Sequence, residues 1–310
     1  MKSGHPLLID WKKLPLVSSC NFIPFESRIG CMHWLSLPFR FLILVTFSLI
    51  YFLIGSVGAL VIRDPVHRKR FFAKNVSRHV KVGLWCFNTT VTAINTPKAN
   101  ENFLFIGNHL GFLDIFVASS IRPLLFITSV EMKKTPLLGQ FCEMGGCLFV
   151  ERRSRNNIQN EIGEIRQGLK DGLDIALYPE GTSGHGAFVL PLKKSLLTSA
   201  AGTGVKLKPM ILNYTKINGE PMSHKYREWV CWYGDQAFAP SVLRLLTAKS
   251  IEARIEFLDE VEVKSEEDRR EIAGVLHSLM QKHFHSIPYP EGQAPPELKV
   301  SSPGRPATSS

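Results

Sequence analysis

The residues best suited to chemistry are a histidine and an aspartate five positions apart, His109 and Asp114. They follow an apolar run, residues 103–106, that predicts a buried strand. On one continuous helix, side chains five residues apart would diverge by roughly 140°. Gly111 lies where the backbone could turn between them. We therefore predict a loop that carries His109 and a helix that opens near Asp114.

This arrangement would make His109 a general base. A carboxylate is stabilised near the N-terminus of a helix. Asp114 could therefore hold one imidazole nitrogen while the other nitrogen faces a substrate. A His-x4-Asp pair is common by chance, so the interpretation depends on the motifs that follow.

The second polar motif ends another apolar run. Residues 149–153 read Phe-Val-Glu-Arg-Arg and place the guanidinium of Arg152 at the end of a strand. Guanidinium groups bind phosphate or carboxylate in a two-pronged geometry. Taken alone, this motif is more typical of a charged surface at a strand end than of a binding site.

The third polar motif also follows a predicted strand. Residues 178–184 read Tyr-Pro-Glu-Gly-Thr-Ser-Gly. Glu180 could accept a hydrogen bond from a substrate hydroxyl, Thr182 could donate to an oxyanion, and Gly181 lets the backbone approach a ligand. Because sites in α/β sheets form where strands end, we expect the three motifs to lie together.

Apolar runs alternate with amphipathic stretches over residues 89–285, which predicts an α/β domain with a mixed, largely parallel sheet flanked by helices. The predicted strands are 103–106, 124–128, 147–150, 173–178, 205–212, 229–233 and 251–257. The predicted helices are a short one after residue 136 and then 158–169, 192–201 and 266–283. Pro209 should break its strand or place it at an edge. We interpret residues 232–235 as a strand and turn rather than as part of a pocket.

Residues 34–88 are predicted to form a membrane anchor of one or two helices. Residues 41–62 carry no charge, and as a helix they would be about 33 Å long, enough to cross the apolar part of a bilayer. Residues 66–87 place a basic stripe opposite an apolar stripe, which suits a helix on an anionic membrane or one packed on the core. Lys and Arg are more frequent after residue 62 than before residue 41, which predicts that the following domain is cytoplasmic.

The whole chain has 310 residues and a formal net charge of +10, which favours an anionic partner. Nucleic acid is disfavoured, because the basic run adjoins the apolar segment and lacks interleaved glycine or tyrosine. The six cysteines form no Cys-x2-Cys pair, so we expect neither a zinc site nor a disulfide framework. Residues 1–33 show no periodicity, and residues 286–310 form a proline-rich tail that we expect to be disordered.

Four blocks in this order resemble those of the glycerolipid acyltransferases. They are Asn-His-x4-Asp from residue 108, Phe-Val-Glu-Arg from 149, Tyr-Pro-Glu-Gly-Thr from 178 and Leu-Lys-Pro-Met from 207. More narrowly, the chain resembles the bacterial 1-acyl-glycerol-3-phosphate acyltransferase family over about residues 85–215 and in its N-terminal helices. The resemblance implies that His109 is the general base and Asp114 its orienting partner. The substrate-binding residues that it implies are Asn108, Arg152, Glu180, Gly181, Thr182 and Pro209.

The resemblance also implies a function. The enzyme would move a fatty acyl group from acyl-CoA or an acyl carrier protein to the free hydroxyl of a lysolipid, first of all 1-acyl-glycerol-3-phosphate, giving phosphatidate. The acceptor oxygen would attack the thioester directly, with no metal, no cofactor and no nucleophilic serine or cysteine. The expected partners are the thioester donor, the lysolipid and an anionic membrane, with the catalytic domain on the cytoplasmic side of the inner membrane.

One departure from the family pattern affects the acceptor. The third block of the family usually continues Gly-Thr-Arg-Ser, and its arginine is thought to hold the acceptor phosphate, whereas this chain has Ser183 and Gly184. The phosphate contact would come from another cation (Arg152, Arg153, Lys193 or Lys194) or be missing. A missing contact would suit a lyso-ornithine lipid or a lysophospholipid with a head group.

Two other classes of protein are alternatives to an acyltransferase. A membrane-anchored lipid-binding protein without activity is the main alternative, and the intact His109, Asp114 and Glu180 argue against it. A lipid hydrolase is disfavoured, because the chain has no Gly-x-Ser-x-Gly motif.

Overall fold

The structure is a computed structural model. It describes residues 31–151, 158–234, 236–265, 268–290, 292–293 and 295. The predictions for Arg152, Arg153, Asp235, residues 1–30 and most of the proline-rich tail lie outside these described residues.

The described chain is an α/β fold with a mixed, largely parallel sheet flanked by helices, which confirms the predicted fold class. The strands are β1 Thr89–Ile94, β2 Phe103–Gly107, β3 Leu125–Ser129, β4 Leu148–Val150, β5 Ile175–Leu177, β6 Lys206–Ile217, β7 Glu220–Pro221 and β8 Ile251–Phe257. The helices are α1 Cys31–Val61, α2 Pro65–Cys86, α3 Leu113–Ile121, α4 Val130–Lys133, α5 Leu138–Met144, α6 Ile158–Lys170, α7 Arg227–Val230, α8 Phe238–Leu246 and α9 Arg269–His283. Short 3-10 turns cover Leu197–Ala200 and His224–Tyr226.

The order of strands in the sheet is β1-β8-β6-β2-β5-β3-β4, with β7 paired to β6 as a short hairpin. Strands β2, β3, β4, β5 and β6 run parallel to one another, whereas β7 and β8 are antiparallel to β6. All five residues of β2 are buried, as is typical of a central strand in a parallel sheet that is covered on both faces. The loop after β2 therefore leaves from the middle of the sheet, at the carboxyl ends of the parallel strands.

The strand that contains Pro209 corrects one prediction. β6 is continuous from Lys206 to Ile217 and lies inside the sheet, between β2 and β8. The carbonyl of Pro209 accepts from the N–H of Leu258, which follows β8. The nitrogen of Pro209 therefore also points toward the β8 side of the strand. The regular pairing of β8 with β6 ends at Phe257. The missing N–H of proline therefore removes no bond from the regular ladder.

Two other predicted elements also differ. Residues 229–233 are not a strand, since α7 ends at Val230 and the backbone is irregular beyond it. The buried Arg227 holds this segment by donating to the carbonyls of Ile287 and Pro288, a long-range contact that local preference does not reveal. Of the predicted helix 192–201, only the 3-10 turn Leu197–Ala200 forms. The strand β1 and the helix α8 were not predicted.

The N-terminal helices α1 and α2 form an antiparallel pair. Arg40 of α1 donates to the carbonyl of Cys86 at one end of the pair, and Asn75 donates to the carbonyl of Tyr51 in the middle. α2 begins with Asp64 as its N-cap. Among the described residues one helix, Ser36–Val61, is long and apolar enough to cross a membrane. Much of its apolar surface is exposed.

Candidate active site

His109 and Asp114 meet at the carboxyl end of β2. His109 lies in the loop after β2, and Asp114 is the second residue of α3. The imidazole Nδ1 lies 2.9 Å from Asp114 Oδ2. The chain turns back between them, so that residues five apart touch as predicted.

The carboxylate of Asp114 is held by several donors. Oδ2 also accepts the backbone N–H groups of Leu110, at 2.6 Å, and Gly111, at 2.8 Å. Oδ1 accepts the hydroxyl of Tyr214 at 2.8 Å. Asp114 is only 1% exposed, so these contacts replace the water that a buried carboxylate would lose.

Two contacts fix the orientation of the His109 imidazole. One face stacks on the ring of Tyr178, with ring centroids 4.5 Å apart and planes 12° from parallel. Nδ1 is engaged by Asp114, whereas Nε2 has no hydrogen-bond partner among the described residues. The side chain is 21% exposed. The geometry thus leaves one imidazole nitrogen available to a molecule outside the protein.

Backbone bonds hold the His109 loop against the third motif. The N–H of His109 donates to Glu180 Oε1 at 2.7 Å, and its carbonyl accepts from the N–H of Gly184 at 2.7 Å. The carbonyl of Leu110 accepts from the N–H of Trp232 at 2.7 Å. The first and third motifs therefore lie together, as predicted, and the segment after α7 joins them.

Glu180 is almost completely buried, at 2% exposure. Its second oxygen accepts the N–H of Leu190 at 2.8 Å. Burial raises the pKa of Glu180 to about 8, although these backbone bonds oppose the rise. Both of its oxygens accept backbone N–H groups, so Glu180 joins the His109 loop to the segment that contains Leu190.

The sequence is similar to those of proteins named as lysolipid acyltransferases. A family model described as Acyltransferase matches residues 88–213. A lyso-ornithine lipid O-acyltransferase of Rhizobium meliloti (strain 1021) is 30% identical over 186 residues, 58% of this chain and 64% of that protein. One of Brucella abortus (strain 2308) is 31% identical over 190 residues, 59% of this chain and 71% of that protein. The chain belongs to the acyltransferase family.

Two further similarities concern acyltransferases of another name. A 1-acyl-sn-glycerol-3-phosphate acyltransferase of Neisseria meningitidis serogroup B is 28% identical over 173 residues, 56% of this chain and 66% of that protein. The chain thus spans about two thirds of these relatives. The crystal structure of PlsC, the 1-acyl-sn-glycerophosphate acyltransferase of Thermotoga maritima, shares the fold. Its TM-score is 0.54 at 19% identity, covering 81% of this chain and 95% of that one.

The structure brings most residues of the four acyltransferase blocks to this edge of the sheet. Asn108 is buried, and its amide exchanges two hydrogen bonds with the backbone of Leu212 on β6, at 3.0 and 2.8 Å. Gly181 and Thr182 follow Glu180 and are partly exposed. Pro209 is buried in β6 beside Ile106 of β2. Arg152 lies outside the described residues.

The sequence analysis assigned no role to two residues of this candidate site. Tyr214 donates to Asp114, and Tyr178 stacks on His109. A tyrosine in a buried strand needs a hydrogen-bond partner for its hydroxyl, so the sequence could have marked Tyr214 as part of a polar contact. The sequence does not identify the partner. No group of three or more potential metal ligands occurs among the described residues.

Gly111 is required by close packing. Its φ is not in the left-handed region, so the turn itself does not demand glycine. A Cβ added there would instead lie 2.5 Å from the carbonyl oxygen of Val230. We expect Gly111→Ala to lower the free energy of unfolding by about 1–3 kcal/mol, because the backbone must move. Thermal unfolding of the purified chain in detergent measures the effect.

Gly163 supplies the matched control for this substitution. It lies inside α6, and an added Cβ would have no atom within 4 Å. Gly163→Ala should therefore be neutral or stabilising, by up to about 1 kcal/mol. Equal stability of the two variants would contradict the packing argument.

Proposed function

We propose that this chain transfers a fatty acyl group from an acyl thioester to the free hydroxyl of a lysolipid. The observation that carries the proposal is the contact of His109 Nδ1 with a fully hydrogen-bonded Asp114, which leaves Nε2 as the available base. Membership of the acyltransferase family supports the reaction class.

In the proposed reaction, the acceptor hydroxyl donates its proton to Nε2 of His109 while its oxygen attacks the thioester carbonyl. A new ester C–O bond forms and the C–S bond breaks. The imidazolium returns the proton to the departing thiolate. The carboxylate of Asp114 stabilises the imidazolium and fixes its orientation, a combination worth several orders of magnitude in related triads.

The other motif residues have roles in this proposal that follow from their contacts. Asn108 and Glu180 bond the backbone and are buried, which supports a role in positioning the loops. Gly181 and Thr182 are partly exposed beside Glu180, where they can face the acceptor or the developing oxyanion. Pro209 is buried in β6 beside Ile106, which supports a role in packing the strand that leads into the His109 loop.

The reaction is tested by supplying acyl-CoA and acyl carrier protein thioesters with a panel of lysolipids. Release of thiol together with formation of the acylated lipid supports the proposal. Absence of turnover with every donor and acceptor would favour the lipid-binding alternative. Mass spectrometry of lipids from cells that lack the protein would identify the acceptor, because the unused lysolipid accumulates.

We propose 1-acyl-glycerol-3-phosphate as the first candidate acceptor. Its phosphate needs a cation near the third motif, where Ser183 and Gly184 supply none. Lys193 meets this need, because its ammonium lies over the backbone of Gly181, whose missing side chain and φ of +74° leave room for it. A Cβ added at Gly181 would lie 2.6 Å from Lys193 Nζ.

A lyso-ornithine lipid is the second candidate acceptor. The absence of arginine after Thr182 favours an acceptor without a phosphomonoester, and the similar proteins of Rhizobium meliloti and Brucella abortus are named lyso-ornithine lipid O-acyltransferases. Lys193 separates the candidates. We expect Lys193→Ala to raise the KM for 1-acyl-glycerol-3-phosphate about tenfold or more, because a charge-assisted bond to phosphate is lost. The KM for a lyso-ornithine lipid should change little.

The neighbouring Lys194 provides the control. It is exposed and carries the same charge one residue away. Lys194→Ala should leave both KM values near those of the unaltered chain. Equal effects of the two substitutions on 1-acyl-glycerol-3-phosphate would show that only the overall charge matters and would remove Lys193 from the acceptor site.

We further propose that α1 lies in one leaflet of the cytoplasmic membrane rather than crossing it. α2 runs alongside α1 and exposes Lys74, Arg78 and Lys81. If α1 crossed the bilayer, these charges would lie at the same depth, at a cost of roughly 2.5–3.5 kcal/mol each near the centre. Single cysteines at the two ends of α1 should therefore react from the same side with an impermeant thiol reagent. Labelling from opposite sides would show a true span.

A further inference from the structure

A cavity lies at the opposite end of the sheet from His109. Its volume is about 510 Å³. It is bounded by α2, the β1–β2 connection, the α3–β3 turn and the α6–β5 turn. The cavity lies beside the amino end of β2, whereas His109 follows its carboxyl end. The strand has four residue steps, so these two ends are about 13 Å apart. The cavity therefore does not belong to the reaction site.

The charges on the cavity wall do not balance. It is lined by three cations, Arg70, Lys74 and Arg122, and by one carboxylate, Asp174. Arg122 Nε donates to Asp174 Oδ2 at 2.6 Å, and its other nitrogens donate to backbone carbonyls, among them that of Lys98 at 2.8 Å. Arg122 and Asp174 therefore neutralise each other's charge. The positive charge of the cavity therefore comes from Arg70 and Lys74.

These two cations are placed differently. The guanidinium of Arg70 is positioned against Gly172, where one nitrogen donates to the carbonyl of Asp171. The carboxylate of Asp171 accepts from Gln167 instead. Lys74 is exposed and makes no hydrogen bond or ion pair with the described residues. One cation is thus fixed on the wall, and the other can reach a ligand.

The cavity adjoins the apolar end of α1. Phe71, next to Arg70, packs against Gly58 of α1, since a Cβ at Gly58 would overlap its ring. Just beyond Gly58, Leu60 and Val61 are 83% and 70% exposed. An anionic group bound by Arg70 and Lys74 would therefore have exposed apolar surface beside it. A ligand that carries an anionic group and long apolar chains would match both surfaces.

We propose that this cavity binds the phosphate of an anionic membrane phospholipid, whose acyl chains lie along the exposed end of α1. The site is separate from the acceptor site and does not depend on acyl transfer. It holds the chain on the membrane in one orientation through a specific lipid, in addition to the diffuse attraction of the basic face of α2.

The test uses the purified full-length chain in a neutral detergent. The thermal unfolding midpoint is followed while phosphatidylglycerol, phosphatidylcholine or inorganic phosphate is added, since a ligand of the folded state raises it. We expect phosphatidylglycerol alone to raise the midpoint. In the double variant Arg70→Gln/Lys74→Gln, the phosphatidylglycerol concentration that gives half of the maximal shift should rise about tenfold or more. The reason is that two charged donors to the phosphate are lost.

Arg78→Gln/Lys81→Gln is the matched control, since it removes the same charge from exposed positions of the same helix outside the cavity. It should respond to phosphatidylglycerol as the unaltered chain does. Equal losses in the two double variants would overturn the proposal in favour of diffuse attraction. An equal response to phosphatidylcholine or to inorganic phosphate would also overturn it. Should the first variant unfold without ligand, Lys74→Gln alone is used, because Lys74 bonds no described residue.

Discussion

His109→Ala is expected to lower kcat by on the order of 10²–10⁴-fold or more, because the acceptor hydroxyl loses its general base. KM should change far less, since the imidazole contacts only the reacting hydroxyl in the proposed geometry. The fold should persist, because the side chain is partly exposed and the loop is held through backbone atoms. Thiol release from acyl-CoA in the presence of a lysolipid measures kcat, and thermal unfolding measures the fold.

A second histidine-aspartate pair in the chain serves as the control. His67 Nδ1 lies 2.7 Å from Asp64 Oδ1, but both side chains are largely exposed at the start of α2. His67→Ala removes an imidazole with the same kind of partner, so it should leave kcat unchanged. If the His109→Ala variant turns over as fast as the His67→Ala variant, the proposed mechanism is wrong.

Asp114→Asn is expected to lower kcat by on the order of 10³–10⁴-fold, as the loss of an orienting carboxylate does in hydrolase triads. Four donors converge on this carboxylate. An amide presents only one acceptor oxygen, so its NH2 group must face at least one of these donors. If it faces Nδ1, the imidazole changes tautomer and Nε2 can no longer accept a proton. Measured kcat, with thermal unfolding alongside, reports the effect.

Tyr214→Phe is the companion variant. It removes the single donor to Oδ1 and leaves the contacts of Oδ2 with the His109 loop in place. The expected loss is about tenfold, the value of one hydrogen bond to a charged group. Equal losses in Asp114→Asn and Tyr214→Phe would mean that the carboxylate acts through Tyr214 and not on the imidazole, contrary to the proposal.

Local patterns predicted much of this fold. The apolar run of β2, the alternation in β8 and the helical period of α6 each appear in the structure close to the predicted bounds. The turn that joins His109 to Asp114 was also predictable, because the spacing required it. These features depend on residues near one another in the chain.

Contacts between distant segments could not be predicted. Tyr214 donates to Asp114 from 100 positions away in the chain, and Glu180 accepts from the N–H of His109, 71 positions away. Pro209 led to the prediction of an edge strand. The proline is tolerated inside the sheet because the regular pairing of β8 with β6 ends at Phe257, next to it. Gly111 was expected for its backbone freedom, whereas the carbonyl of Val230 is what requires it.

The backbone bonds around His109 also bear on how acceptor preference can change. Gly184 braces the loop through its N–H, and Ser183 reaches the carbonyl of Trp232. The brace from Gly184 needs no side chain, so the partly exposed position 183 can gain or lose a cation while this bond to the His109 carbonyl stays in place. In the proposed reaction, a substitution at position 183 could therefore alter the preferred lipid head group without moving the contact of His109 with Asp114.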